Sequence, residues 1–385
     1  MDHPFVYSSH VTGKNFIGRK AEIANLTNLF SLDQNVAIYE PPKAGKTSLL
    51  QQTFFNMKIA GQKFFPVEVS LLTVRSRAEF ACKVGGKIIR HFATTPAEYS
   101  QAVASWLPGT HFIFDPDAYA ATDNVLSLNW DLDDDDIRAI ISLPYRIAAE
   151  SGDKIYVVLD EFQNILRTED GEGLCKLFEG VLKGLGEEDR RLCNYVFCGS
   201  CVNAMAYIFE HKRYFHRLVE RCVMRPVERK DIIEHVVKGF LVSGKVTDRD
   251  LLSGFCDAFR DDLYYINHFA SICDSLSKGY IMEPVLMEAL EMMLSIHEPR
   301  FRAIMNDLTT FQVQLLRAIL DGNKKFSSSD VIRKYSLNSS ANVCRLKEAL
   351  CRKEIVVFDA DDEPTLLDPL FEYWVGRYFY GRQNI

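Results

Sequence analysis

Four short segments are apolar at nearly every position: 35–39, 64–71, 154–159 and 193–198, each rich in Val, Ile, Phe or Tyr. A strand with no polar face must be covered on both sides, which is the pattern of a parallel sheet. Between and after them, 47–60, 76–92, 135–151 and 173–185 repeat apolar residues at helical spacing. Strand, helix, strand, helix predicts an α/β fold with right-handed crossovers. The stretch 94–134 breaks the alternation with Pro96, Pro108 and Pro116 and ends in the acidic run 131–136. It predicts an insertion whose hairpin pairs 110–114 with 124–130. The Asp run predicts a helix start rather than a cation site, because Asp favours helix N-termini.

Beyond Pro226 the pattern is helical throughout. Helices are predicted over 231–241, 248–259, 264–278 and 283–296, then over 309–320, 328–335 and 339–352. Two short strands, 355–359 and 364–368, flank an acidic turn, and three helices followed by a hairpin predict a winged helix-turn-helix. The expected organisation is an α/β domain over 1–225, a helical lid over 226–299 and a winged-helix domain over 300–385. No internal repeat or low-complexity segment stands out.

Composition adds limits. The 385 residues carry 45 Lys and Arg against 52 Asp and Glu, a formal charge of −7, so the whole surface is not a nucleic-acid coat. With 47% hydrophobic residues a sizeable core is expected. No apolar run reaches the ~18 residues of a membrane helix, and the start MDHPFVYSSH lacks the order of a signal peptide. A soluble, cytoplasmic chain without membrane contact is therefore expected. Its ten cysteines then read as reduced core residues. Cys198 and Cys201 have the spacing of a redox pair or half a zinc site, but nothing completes a metal set and the segment reads as a strand end.

The strand 35–39 runs into Glu40-Pro41-Pro42-Lys43-Ala44-Gly45-Lys46-Thr47-Ser48, which opens a helix. This is the strand–loop–helix setting of a phosphate loop, the Walker A motif. In the loop 42–48, the backbone N–H groups that follow Pro42 would wrap phosphate oxygens at the helix N-terminus, where the dipole favours anions. Lys46 would reach the β- and γ-phosphates, Thr47 would ligate Mg²⁺, and Gly45 would allow close backbone approach. One departure is Glu40, which stands where the motif has its first glycine. A dead loop is the alternative.

The strand 154–159 ends in Asp160 and Glu161, as a Walker B segment does. Asp160 would hold Mg²⁺ through water and Glu161 would polarise the water attacking the γ-phosphate. Gln163 is a further candidate to orient that water. After the next strand, Ser200 and Asn203 are candidates to read the γ-phosphate. Further on, Arg217, before Arg221 and Arg225, is the first choice for an arginine acting on it, in cis or from a second subunit.

Together with Phe16-Ile17-Gly18-Arg19-Lys20-Ala21-Glu22-Ile23, these motifs resemble those of an AAA+-like archaeal and bacterial ATPase family of the STAND group, related to origin-recognition ATPases. The resemblance extends through Asp160-Glu161-Phe162-Gln163-Asn164 to Thr309-Thr310-Phe311-Gln312, Phe326-Ser327-Ser328, Lys334-Tyr335-Ser336-Leu337 and Asp368-Pro369-Leu370-Phe371. It implies that Phe16, Ile17, Gly18 and Arg19 lie near the base, and that ATP and Mg²⁺ are the cofactors. The Gly-x-Pro usual before the lid helix is here Asp261-Asp262-Leu263, a second departure.

From Arg300 on there are 13 Lys and Arg against 11 Asp and Glu, about +2, leaving about −9 for the rest. Arg345, Lys347, Arg352 and Lys353 lie on or just past the presumed recognition helix, with Arg333 and Lys334 before it, so DNA or a protein is the candidate partner. The expected function is an ATP-binding, Mg²⁺-dependent and slow ATP hydrolase, working as a nucleotide switch coupled to the winged helix. Oligomer formation on nucleotide binding fits that scheme. The alternative is a DNA-binding regulator or scaffold with a vestigial nucleotide site. A GTPase lacks support because no NKxD-type motif is present, and a kinase because no acceptor site is visible.

Overall fold

The computed structural model describes residues 4–381. Internal contacts divide them into two compact units. One comprises Lys20–Glu40 and Thr53–Met224; the other comprises the chain up to Arg19, Pro41–Gln52 and everything from Arg225 on.

In chain order the elements up to residue 224 are α1 (Lys20–Ser31), β1 (Asn35–Tyr39), α2 (Lys46–Ile59), β2 (Phe64–Ser70), α3 (Arg77–Phe92), α4 (Pro96–Trp106), β3 (Phe112–Ile113), α5 (Pro116–Thr122), β4 (Ser127–Leu128), α6 (Asp134–Ser151), β5 (Lys154–Asp160), α7 (Gly171–Gly184), α8 (Glu187–Leu192), β6 (Cys193–Gly199), α9 (Val202–Ala206) and β7 (Val219–Arg221). Five strands form one sheet in the order β2-β5-β6-β1-β7, every pair parallel. β6 is buried along its whole length and β1 from Val36 on, which is why neither carries a polar face. Phe162, Phe178, Phe197 and Phe215 pack ring against ring in the core beneath, with centroids 4.7–6.2 Å apart.

The four predicted strands and their intervening helices are present within a few residues. The insertion is a partial correction. The predicted hairpin survives only as the pairs Phe112↔Leu128 and Ile113↔Ser127. The rest folds into α4 and α5, which the prolines had obscured. Pro96 and Pro116 are helix starters, each in the first turn behind a capping side chain, Thr95 and Asp115. The acidic run is a helix start, as expected: Asp133 caps α6 and Asp136 returns the bond.

The second unit continues with α10 (Arg229–Val242), β8 (Val246–Thr247), α11 (Arg249–Ala258), α12 (Leu263–Leu276), β9 (Tyr280–Ile281), α13 (Glu283–Asn306), α14 (Thr310–Leu320), α15 (Ser329–Lys334), α16 (Ser340–Arg352), β10 (Val356–Phe358), β11 (Pro364–Leu366) and α17 (Pro369–Trp374). Its core runs from Phe5 and Phe240 through Phe259, Phe301 and Phe326 to Trp374. α14–α16 and the antiparallel pair β10–β11 are the predicted winged helix. α13 continues to Asn306 where the periodicity predicted an end at Ile296. Pro299, inside the helix, lies on the exposed face while Phe301 and Met305 extend the buried stripe.

Lid and winged helix are joined by a polar knot. Asp368 caps α17 and accepts from Tyr265 Oη (2.8 Å) and Arg300 Nη2 (2.6 Å). Phe301 lies against Phe371 and Trp374, with ring centroids 5.6 Å apart in both cases. All ten cysteines are free. Among the described residues no helix is long and apolar enough to cross a membrane.

One side chain ties the insertion to the sheet unit. Asp136, buried, accepts from the backbone N–H of His111 (2.8 Å) and lies 2.9 Å from its Nδ1. That hydrogen bond raises the His111 pKa above its ordinary 6.5. Burial pushes the Asp136 carboxyl up, but the bonds from His111 and Asp133 outweigh it and hold it below the usual carboxylate value. Because the folded pKa of His111 is raised, its contribution is complete below 6.5 and is lost as the pH climbs through the raised value. We expect His111→Ala to lower the melting temperature at about pH 6 and to flatten the stability loss between about pH 6.5 and 8. Melts across that range check this, and parallel profiles for mutant and wild type would reject it.

Candidate nucleotide site

The loop that leaves β1 belongs to the second unit from Pro41 on. Ala44 N donates to Pro41 O at 3.3 Å, closing a turn. Lys43 and Gly45 have φ of 68° and 93°. The left-handed region costs an ordinary side chain but not glycine. A Cβ built on Gly45 meets no atom within 4 Å, so backbone conformation rather than crowding selects glycine, and the space beside it is open. Lys46 is buried, with Nζ donating to Pro41 O at 2.9 Å. Thr47 is exposed in the first turn of α2 and Pro42 is exposed in the loop. Ser48 Oγ accepts the N–H of Val11 at 3.0 Å and Gln52 Oε1 that of Gly13 at 2.7 Å, so the N-terminal segment is laced onto α2.

Arg19 is the clasp of this region. Its guanidinium donates to Ala44 O (3.0 Å) in the loop and to Arg225 O (2.9 Å) where the chain enters the lid. A charged donor on a carbonyl is worth about 1.5–3 kcal/mol when shielded, and less here because the second bond is exposed. Gly18 precedes it with φ 62°, and a Cβ there would come within 2.8 Å of Val227 Cγ1. Ile17 packs on the second core and Phe16, half-buried, closes a 3-10 turn. Lys43 Nζ lies over the Tyr264 ring, 5.9 Å from its centroid, in the first turn of α12. Spacing gave no sign of these lid contacts, which depend on segments more than 200 residues apart.

Both departures from the motif have structural roles. The Glu40 carboxylate accepts the N–H of Met224 at 3.4 Å, and its own N–H extends the ladder to Gly199 O. Asp262 caps α12 by accepting from Tyr264 N and Tyr265 N, and burial raises its pKa to about 6. Asp261, at φ 57°, takes a two-pronged pair from Arg229 at 2.9 and 3.0 Å.

The acidic strand end lies in the sheet unit. Asp160 closes β5 opposite Ser70, and Glu161 follows at φ 56°. Ser200 Oγ donates to Glu161 Oε2 at 2.6 Å, and Gln163 Nε2 donates to the same oxygen. The residue expected to read phosphate is thus engaged with the carboxylate. Gly199, at the end of β6, is closely packed: a Cβ would sit 2.4 Å from Met205 Cγ and 2.7 Å from Gln163 Oε1, so those side chains would have to shift. Asn203 lies in the first turn of α9. Arg217 is exposed at φ 61° and has no hydrogen bond or ion pair among the described residues. Arg221 is paired with Glu210 and lies 4.1 Å over the Tyr39 ring.

In the winged helix the basic residues divide into paired and exposed ones. Lys347 is paired with Asp362 of the acidic turn, its Nζ 4.7 Å from the Phe358 ring centroid. Lys353 is paired with Asp307 and Arg333 with Asp330. Of the four cations on or just past α16, only Arg345 and Arg352 are fully exposed.

A family model described as a probable winged helix domain matches residues 299–377. No curated protein matches. Among solved structures the chain is similar to a Walker-type ATPase of Pyrococcus abyssi, at 14% identity with a TM-score of 0.66, covering 96% of this chain and 99% of that one. It is also similar to the ORC2 protein of Aeropyrum pernix in its ADPNP-ADP complexes (12%, TM-score 0.58, 93% of both chains) and to Cdc6p of Pyrobaculum aerophilum (13%, TM-score 0.50, 98% and 97%). At such identities the likeness speaks for the fold. The chain has the fold of AAA+-like P-loop ATPases, an α/β core with a helical lid, and ends in a winged-helix domain.

Proposed function

We propose that the chain binds ATP with Mg²⁺, hydrolyses it slowly, and uses the nucleotide to control its winged helix. The observation that carries this reading is the loop 41–48: a helix N-terminus behind a left-handed glycine, open space beside it, and a buried lysine whose Nζ donates to the loop carbonyl of Pro41. The residues fit the ligand. Thr47, exposed at the start of α2, offers a hard oxygen donor of the kind Mg²⁺ requires, Asp160 is the donor the sequence assigns beside it, and the metal would supply charge neutralisation at the phosphates. Phe16, Ile17 and Gly18 would line the base, Ala44 and Ser48 would donate backbone N–H groups to phosphate oxygens, and Pro42, which has no N–H, would only shape the loop. Glu161 would take the proton of the attacking water. Arg217, with no competing partner, is free to meet phosphate oxygens.

The switch has a material path. Loop, N-terminal clasp, lid and winged helix belong to one compact unit. Lys43 and Arg19 connect the loop to the lid, and Asp368 with Arg300 and Tyr265 connects the lid to the winged helix. A phosphate that draws Lys43 off Tyr264 or shifts Ala44 is felt in the lid first. For the winged helix we favour a protein partner: Lys347, Lys353 and Arg333 are paired with Asp362, Asp307 and Asp330, which leaves Arg345 and Arg352 as the exposed cations on or just past α16 without an ion pair among the described residues.

Lys46→Ala should weaken ATP binding about tenfold or more, whereas Glu161→Gln should bind ATP like wild type and lose hydrolysis by about 10²-fold. Calorimetric ATP titration with phosphate-release assays checks both. Equal turnover in both mutants and the wild type would overturn the reading. For the winged helix, duplex DNA affinity should be weak, with a log–log salt slope no steeper than about −2, and Arg345→Ala with Arg352→Ala should leave it within about threefold. A steep slope that collapses in the double mutant would restore the DNA-binding alternative.

A further inference from the structure

Glu161 leaves β5 in the left-handed region, φ 56°, where a side chain persists only if its surroundings hold it. Two donors hold it. Ser200 Oγ approaches Oε2 at 2.6 Å, and Gln163 Nε2 donates to that same oxygen. Oε1 accepts from nothing among the described residues. The carboxylate is therefore gripped on one side and open on the other.

Gln163 is fixed in turn. It sits in the 3-10 turn Phe162–Arg167, between the fully buried Phe162 and Ile165, and is itself only 5% exposed. Its amide cannot rotate by half a turn, because its carbonyl would then face the carboxylate. Its own Oε1 is buried with no partner, packed so near the end of β6 that a Cβ on Gly199 would come within 2.7 Å of it. A leucine or methionine would fill this volume without an orphaned acceptor, so packing alone does not account for a glutamine here.

We infer that Gln163 is a positioning residue: its amide, together with the Ser200 hydroxyl, locks Glu161 by Oε2 and leaves Oε1 to accept the proton of the attacking water. On this reading Gln163 acts through Glu161, where its place in the sequence suggested a direct hold on the water. The inference rests on the ATP hydrolysis proposed above and deepens it. Two rigid donors on one oxygen restrict the carboxylate to a narrow range of orientations, and such pre-alignment counts in turnover rather than in substrate binding.

The test is a double-mutant cycle on the full chain, with kcat, KM and ATP dissociation constant read separately. Gln163→Met, which keeps the volume and removes the donor, should lower kcat about tenfold while KM and ATP affinity stay within about twofold. Ser200→Ala, at a half-exposed position that tolerates truncation, should lower kcat in the same way and keeps the test open if Gln163→Met folds poorly. In a Glu161→Gln background neither substitution should cost anything more, since both act through that carboxylate. Unchanged kcat in both single mutants, or losses that add to that of Glu161→Gln, would overturn the inference. Undiminished turnover in Glu161→Gln alone would instead sink the hydrolysis reading on which it stands.

Discussion

Every chemically interesting group of the sheet unit hangs from backbone that has just left a fully buried parallel ladder. Inside β1, β5 and β6 the N–H and C=O groups are spent on neighbouring strands and the side chains on covering layers. Polar residues can appear only where the ladder stops, and the three strands stop at one edge: Tyr39 faces Gly199, and Leu159 faces Phe197. Asp160, Glu161 and Ser200 are therefore brought together by register rather than by any mutual attraction. The same crowding at the strand end surrounds Gly199, where a Cβ would displace the Gln163 and Met205 side chains.

In the second unit the organising element is a cation rather than a ladder. Arg19 spans from the phosphate loop to the first residue of the lid segment, and Lys43 and the Ser48–Val11 bond add further ties. In the proposed switch, a loop anchored to its own lid would report what it holds, and the knot around Asp368 is the link from lid to winged helix. On the third helix of that domain Lys347 is paired with Asp362, while Arg345 and Arg352 stay exposed.

The places where this chain departs from the motifs of its resemblance are all acidic, and each acid has found a backbone or a cation. Glu40 takes the Met224 amide, Asp261 takes Arg229, and Asp262 caps a helix with its carboxyl raised by burial. A carboxylate so engaged substitutes for the conformational role of glycine or proline by fixing the turn through hydrogen bonds.

The strands, the phosphate loop, the acidic strand end and the winged helix were legible in the sequence because each is a local pattern: apolar runs, a spacing, a cap. Prolines misled it at the insertion, since a proline breaks or starts a helix according to what precedes it. The partners of Arg19, Lys43, Glu40 and Lys347 were not legible. Those bonds join residues up to about 220 positions apart, and only the packed chain decides which donor meets which acceptor. The same holds for Ser200 and Gln163, which the sequence could nominate as polar residues after strands. That both grip one oxygen of Glu161 follows from the register of β5 and β6 and from a left-handed turn that no spacing encodes.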